Sequence, residues 1–207
     1  MYTLIASRGA GSAIVEAALD IAGLPYSIRE IDPWTSQADS DLLRSYNLLG
    51  QVPTLLMPDG SVMTESAAIV LHIADRAPEA DLAPAGGDAA RPWFLRWLEF
   101  FVASIYPTFT FGDEPSRWVS DEAAQRELRE RTDRYREELW QVVEAGVAPA
   151  PWLFGDRFSA LDLYVSAMTR WRPRRAWFQE HCPKLHTVAC AVDGDPRVAK
   201  AWARNFS

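Results

Sequence analysis

Apolar positions along the chain follow two regimes. Up to about residue 63 they come as short strand-length runs separated by helices and turns, and past residue 89 they recur at helical spacing alone. Tyr2 to Ala6 is a short apolar strand. Ser7-Arg8-Gly9-Ala10-Gly11-Ser12 is a flexible turn into a helix with Ile14, Ala17, Ala18 and Ile21 on one face and Gly23 as its terminator. Tyr26 to Ile31 alternates and is β-rich, so a β-α-β unit with parallel strands is predicted. After a loop from Asp32 to Gln37, the pattern predicts a short helix over Asp39 to Asn47. Thr54 to Met57, the turn Pro58-Asp59-Gly60 and the return over Ser61 to Met63 read as a hairpin. Thr64 is then the expected cap of a helix with Ser66, Ile69, Val70 and Ile73 on one face.

Ala77 to Asp88 is rich in Pro, Gly and Ala and has no periodicity. It predicts a linker over 78–88 between an N-terminal domain at 1–77 and an all-helical domain at 89–207. Phe94, Trp97, Leu98, Phe101, Val102 and Ile105 make an amphipathic helix that Pro107 should end or kink. Ser120 is the expected cap of a long charged helix with Leu128, Tyr135, Leu139, Val142 and Val143 inward and Gly146 at its end. Ser159 and Asp162 form a capping box ahead of an apolar run.

Composition narrows the function classes. A chain of 207 residues, 48% hydrophobic and 24% charged, is globular. Its net charge of −7 argues against binding a nucleic-acid backbone. No uncharged apolar run has membrane-spanning length and no secretory signal is legible, so a soluble cytoplasmic protein is expected. Two cysteines, Cys182 and Cys190, cannot build a disulfide framework, and with His181 and His186 they lack the tight pairing of a zinc motif, so no metal is expected. Arg170, Arg172, Arg174 and Arg175, interleaved with Trp171, read as a solvated basic face sooner than a nucleic-acid site, or as a face that steers anionic substrates.

Candidate chemistry lies between Gly50 and Asp75. Pro53 directly precedes a strand, where its missing N–H loses no ladder bond, and X-Pro is the linkage at which a cis peptide is least unfavourable. A cis Val52–Pro53 bond would present the Val52 carbonyl and N–H as a peptide-like edge. Glu65 and Ser66 open a helix whose free N–H groups attract an anion. A carboxylate held there, with an ammonium on Glu65, would be an α-amino acid head group beside a peptide edge.

Gln51-Val52-Pro53 followed by Glu65-Ser66-Ala67-Ala68-Ile69 resembles the glutathione-binding half of the cytosolic glutathione S-transferases. The resemblance covers nearly the whole chain and implies an α/β thioredoxin-like N-terminal domain joined to an all-α C-terminal domain, with glutathione as co-substrate. It implies that Gln51, Val52 and Pro53 meet the cysteinyl backbone of glutathione and that Glu65 and Ser66 bind its γ-glutamyl end. Glu99 falls near a position where relatives reach the partner subunit's glutathione. Ser12 stands at the family's place for the residue that activates the thiol, with Ser7 its rival and Tyr2 a remote one. The same Ser12 position suits a plain N-cap. The loop is similar to the bacterial beta-class pattern, but its cysteine position is Gly11, and the His-Lys pair of that class is absent near Tyr106-Pro107. Tyr106, Phe109, Phe111 and Trp118 fall where the family places a small hydrophobic electrophile, although aromatic residues there also serve the core. The Ser159–Asp162 box matches a folding motif of the family's helical domain. A homodimer that conjugates glutathione thiolate to electrophiles in detoxification is implied. The alternative is a glutathione- or ligand-binding member, or a protein-interaction member, without useful catalysis. Glutathione-dependent isomerisation lacks the serine- and cysteine-rich first loop that the zeta class uses.

Overall fold

The computed structural model describes residues 1–206. Its first strand, β1 (Tyr2–Ala6), sits inside a four-stranded sheet of order β2-β1-β3-β4. β2 (Tyr26–Glu30) runs parallel to β1 with Leu4 opposite Ile28, joined to it through α1 (Ser12–Ile21). β3 (Thr54–Leu56) pairs antiparallel with β1, and the two-residue β4 (Val62–Met63) pairs antiparallel with β3. Alternation along β1 divides the core. Leu4 and Ala6 face α1 and α3 (Ser66–Arg76), while Ile5 turns the other way to meet Ile31 and Leu43 of α2 (Gln37–Tyr46). The sheet with its helices is thioredoxin-like.

The rest of the chain is helical: α4 (Arg91–Glu99), α5 (Tyr106–Gly112), α6 (Glu122–Gly146), α7 (Ala160–Met168), α8 (Arg175–His181), α9 (Pro183–Asp193) and α10 (Ala199–Phe206). α7 is buried along its whole length and packs on α1, α4 and α9, so it joins the sheet-bearing part to the helical part. Its start carries the capping box: the Ser159 N–H donates to Asp162 Oδ2 at 2.7 Å, and the Leu153 N–H donates to Oδ1 at 2.7 Å. Burial pushes the Asp162 carboxyl up to about 6 against those bonds.

Several local expectations are corrected. β2 ends at Glu30, and α2 begins at Gln37 because Ser36, not a later residue, accepts from the Asp39 N–H at 3.3 Å. Thr64 does not cap α3; the capping position falls on Glu65, whose φ of 65° turns the chain sharply into the helix. Asp121 rather than Ser120 caps α6, accepting from the Ala124 N–H at 2.8 Å. Pro107 neither ends nor simply kinks its helix. The backbone widens to π winding over Phe100–Ile105, the Tyr106 N–H reaches back to Phe101, and Pro107 enters the first turn of α5 where an N–H is dispensable.

On α6 the buried stripe is Arg136, Leu139, Trp140 and Val143, while Tyr135 and Val142 face outward at 53% and 47% exposure. The fully buried Arg136 guanidinium lies 3.9 Å from the centre of the Phe109 ring, donates to Thr108 and pairs with Asp133. That cation takes the inner face and rotates the flanking apolar residues out. Three of the four arginines in the run are paired, Arg170 and Arg175 with Asp193 and Arg172 with Asp113 and Asp133, while Arg174 is exposed.

Candidate functional site

Two junctions from strand to helix, and the loop before β3, converge under α5 and α7. In the first junction, Gly9 (φ 70°) turns the chain and Gly11 takes the capping position of α1 in ordinary right-handed geometry without a side-chain cap. Ser12 is therefore the first helical residue and not the N-cap. Its hydroxyl is fully buried; it donates to the Ser7 carbonyl at 2.9 Å and accepts from the Ser7 N–H at 3.1 Å. The helical part holds this loop from outside. The Trp171 indole donates to the Gly9 carbonyl at 2.6 Å, and the Gly9 N–H donates to Asn205 Oδ1 at 3.3 Å. Asn205 and Arg204 of α10 bind the buried Glu16 of α1. Tyr2 lies elsewhere, its hydroxyl 3.0 Å from His72 Nε2.

Before β3, the Val52–Pro53 peptide is cis. The Asn47 amide and the Thr54 hydroxyl both donate to the Gln51 carbonyl, at 3.0 and 2.9 Å, and shape the loop around buried Pro53. Val52 lies outside the strand ladder and Gln51 is exposed.

At the second junction, exposed Glu65 precedes buried Ser66. The Tyr164 hydroxyl of α7 donates to Ser66 Oγ at 2.8 Å, which leaves the serine proton able to donate in turn. Burial first, then Tyr106, with smaller contributions from Glu99 and Glu65, pushes the Tyr164 phenol well above its ordinary value, while Ser66 pulls it down. Glu65 and, on α4, Glu99 are exposed carboxylates whose charge is felt at the buried Tyr164 phenol.

Tyr106 lies between Tyr164 and Trp171, tilted 42° to each, with ring centres 6.2 and 5.9 Å away. Phe109 continues the row, edge-on to Trp171 at 5.4 Å. Phe111 and Trp118 form a separate exposed pair at 4.8 Å, with the Trp118 indole donating to Thr110. The structure therefore sets Pro53 and Tyr106 against Gly11 at the start of α1, with Ser66 linked to Tyr106 through Tyr164 and Phe109 through Trp171. Tyr164, Trp171 and Asn205 were missed from sequence because each matters only through a partner far along the chain.

Other features lie apart from this cluster. Open concavities of about 470 and 500 Å³ are lined by the Asp81–Arg157–Arg197 group and by Trp93, Leu153 and Phe154. In the first, Arg157 is already paired with Asp81 and Asp88. Among the described residues no group of three or more His, Cys, Asp or Glu side chains is arranged to hold a metal ion, and no helix is long and apolar enough to cross a membrane.

The family model for the glutathione S-transferase N-terminal domain matches residues 12–76. An uncharacterized GST-like protein, YncG of Escherichia coli K12, is 37% identical over 198 residues, 95% of each chain. Glutathione S-transferase GST-4.5 of Xanthomonas campestris is 32% identical over 150 residues, 72% of this chain and 71% of its own. Among solved structures, a glutathione transferase homolog from Sulfitobacter with bound glutathione superposes with a TM-score of 0.87 at 24% identity, covering 100% of this chain and 99% of that one. The bacterial GST BphK, solved as a ternary complex, gives 0.81 at 27% identity, covering 99% and 100%. With a thioredoxin-like sheet, a helical second half and a relative similar along nearly its whole length, the chain belongs to the cytosolic glutathione S-transferase superfamily.

Proposed function

We propose that the protein conjugates glutathione to small hydrophobic electrophiles. The supporting observation is that Pro53 of the cis Val52–Pro53 loop and the Tyr106 hydroxyl stand against Gly11 at the start of α1, while Ser66 at the start of α3 keeps its proton free to donate. Ser66 and the first N–H groups of α3 hold the γ-glutamyl carboxylate, Glu65 holds its ammonium, and Glu99 of each subunit reaches toward the glutathione of its partner. Gln51, Val52 and Pro53 receive the cysteinyl backbone. The sulfur then lies at the start of α1, where the helix dipole favours a thiolate. The thiol proton leaves to water, the thiolate forms a carbon–sulfur bond, and the leaving group departs with its electron pair. The electrophile rests against Tyr106 and Phe109. Ser12 and Ser7 are the hydroxyls that the family resemblance nominates for thiol activation. The sheet-bearing part, 1–77, and the helical part, 89–207, act as two domains across the linker 78–88, in a cytoplasmic homodimer.

A second reading, glutathione binding without useful catalysis, is favoured by one observation: the Ser12 hydroxyl is bound to the Ser7 backbone on both its donor and acceptor sides. Calorimetry with glutathione and a conjugation assay with an activated aryl halide separate the two. Binding with turnover supports the transferase; binding without it leaves the second reading; no binding removes both.

A further inference from the structure

The Tyr106 hydroxyl is buried and has no hydrogen-bond partner. An unpaired buried donor is unfavourable and persists where something absent from the free protein completes it. Ser66 is near enough to affect the phenol but lies outside hydrogen-bond geometry. The hydroxyl points at the beginning of α1. A Cβ built on Gly11 would come within 3.3 Å of Tyr106 Oη and 3.9 Å of Pro53 Cδ. Gly11 has φ −58° and ψ −18°, which any residue adopts, so backbone conformation does not call for glycine there. Glycine instead keeps open the space between the helix start, Pro53 and the phenol. The nearest alternative hydroxyl, Ser12, is committed to Ser7.

We infer that Tyr106, supplied by the helical part of the chain, is a catalytic residue that donates the hydrogen bond holding the sulfur of bound glutathione as a thiolate. The inference rests on the reading of the site as a glutathione site and replaces Ser12 and Ser7 in the activating role. The phenol keeps its proton throughout, and the thiol proton goes to solvent. Burial raises the phenol's pKa and so keeps it a donor at neutral pH. The charged and titratable groups facing this cluster are Glu65, Glu99 and Tyr164. The two carboxylates oppose a thiolate, and the ammonium of glutathione offsets that of Glu65, so the phenol and the α1 N-terminus are the groups that favour it.

Tyr106→Phe tests this, because it removes one oxygen and keeps the ring contacts with Tyr164 and Trp171. The bound thiol is titrated by its ultraviolet thiolate absorbance, beside calorimetry with glutathione and with S-methylglutathione, which has no thiol to ionise. The expected result is unchanged thermal stability, near-unchanged S-methylglutathione affinity, and a bound thiol pKa raised by about one unit, which lowers the thiolate fraction at neutral pH by up to about tenfold. Gly11→Ala, which crowds the same space, should move the thiol pKa in the same direction. An unchanged thiol pKa in Tyr106→Phe, with Ser12→Ala or Ser7→Ala raising it instead, overturns the assignment. So does a wild type that binds glutathione without depressing its pKa. A wild type that binds neither ligand removes the glutathione reading itself.

Discussion

The starts of α1 and α3 form a natural experiment. Each follows a strand, and each places a buried serine at its first helical position: Ser12 after Gly11, Ser66 after Glu65. Local sequence gives the two hydroxyls the same prospects, yet they end in opposite states. Ser12 folds back on Ser7 and gives its proton to a backbone carbonyl of its own loop. Ser66 accepts from Tyr164, which lies 98 residues away, and so keeps a proton to offer. Backbone geometry differs too: Gly11 continues the right-handed turn, while Glu65 sits at φ 65° and swings its side chain to the exposed side. A serine at a helix start is therefore a binding group or a loop brace according to what the distant part of the chain places against it.

The largest expected effect is on the α1 side. Glu16→Ala removes the carboxylate that Arg204 and Asn205 hold. Breaking a pair of this burial should lower stability by about 3 kcal/mol, read from denaturant midpoints. It should also loosen the Ser7–Ser12 loop, seen as faster amide exchange there. Amide exchange in that loop unchanged from wild type would show that α10 does not brace it.

Next comes the α3 side. Glu65→Ala and Ser66→Ala each remove a charge-assisted contact to glutathione, so affinity should fall roughly ten- to a hundredfold by calorimetry, about 1.5–3 kcal/mol. Glu65→Gly sharpens the point. It should lose affinity equally while folding at least as well as Glu65→Ala, since glycine accepts φ 65° without strain. Full affinity in any of these folded variants breaks the comparison.

Ser12→Ala should behave oppositely to Ser66→Ala. It leaves the buried Ser7 N–H without its partner and should lower stability by about 1.5 kcal/mol, with glutathione affinity and bound thiol pKa nearly unchanged. Tyr164→Phe should have the smallest effect. It removes the donor to Ser66 and should weaken glutathione by about 1 kcal/mol, roughly fivefold.

The order of elements was legible in the chain because it rests on period: strand-length runs before residue 63, and Phe94, Trp97, Leu98 and Phe101 on one face after it. Helix caps slipped by one residue at Glu65 and Asp121 because neighbouring polar residues compete for the place and backbone dihedrals decide. The outward turn of Tyr135 and Val142 was hidden, since hydrophobicity alone does not reveal that Arg136 would be buried against Phe109. At the candidate site, the Gln51–Pro53 and Glu65–Ser66 segments stood out as compact motifs. The pairing of Gly11 with the Tyr106 hydroxyl could not stand out, because it joins segments related only by the folded chain.

The most direct test is a crystal structure of the protein with glutathione. The account predicts the γ-glutamyl carboxylate on Ser66, the ammonium beside Glu65, the cysteinyl backbone along Val52, and the sulfur between the start of α1 and Tyr106 Oη. Glutathione bound away from Ser66, or with its sulfur on a Ser12 hydroxyl released from Ser7, would contradict it.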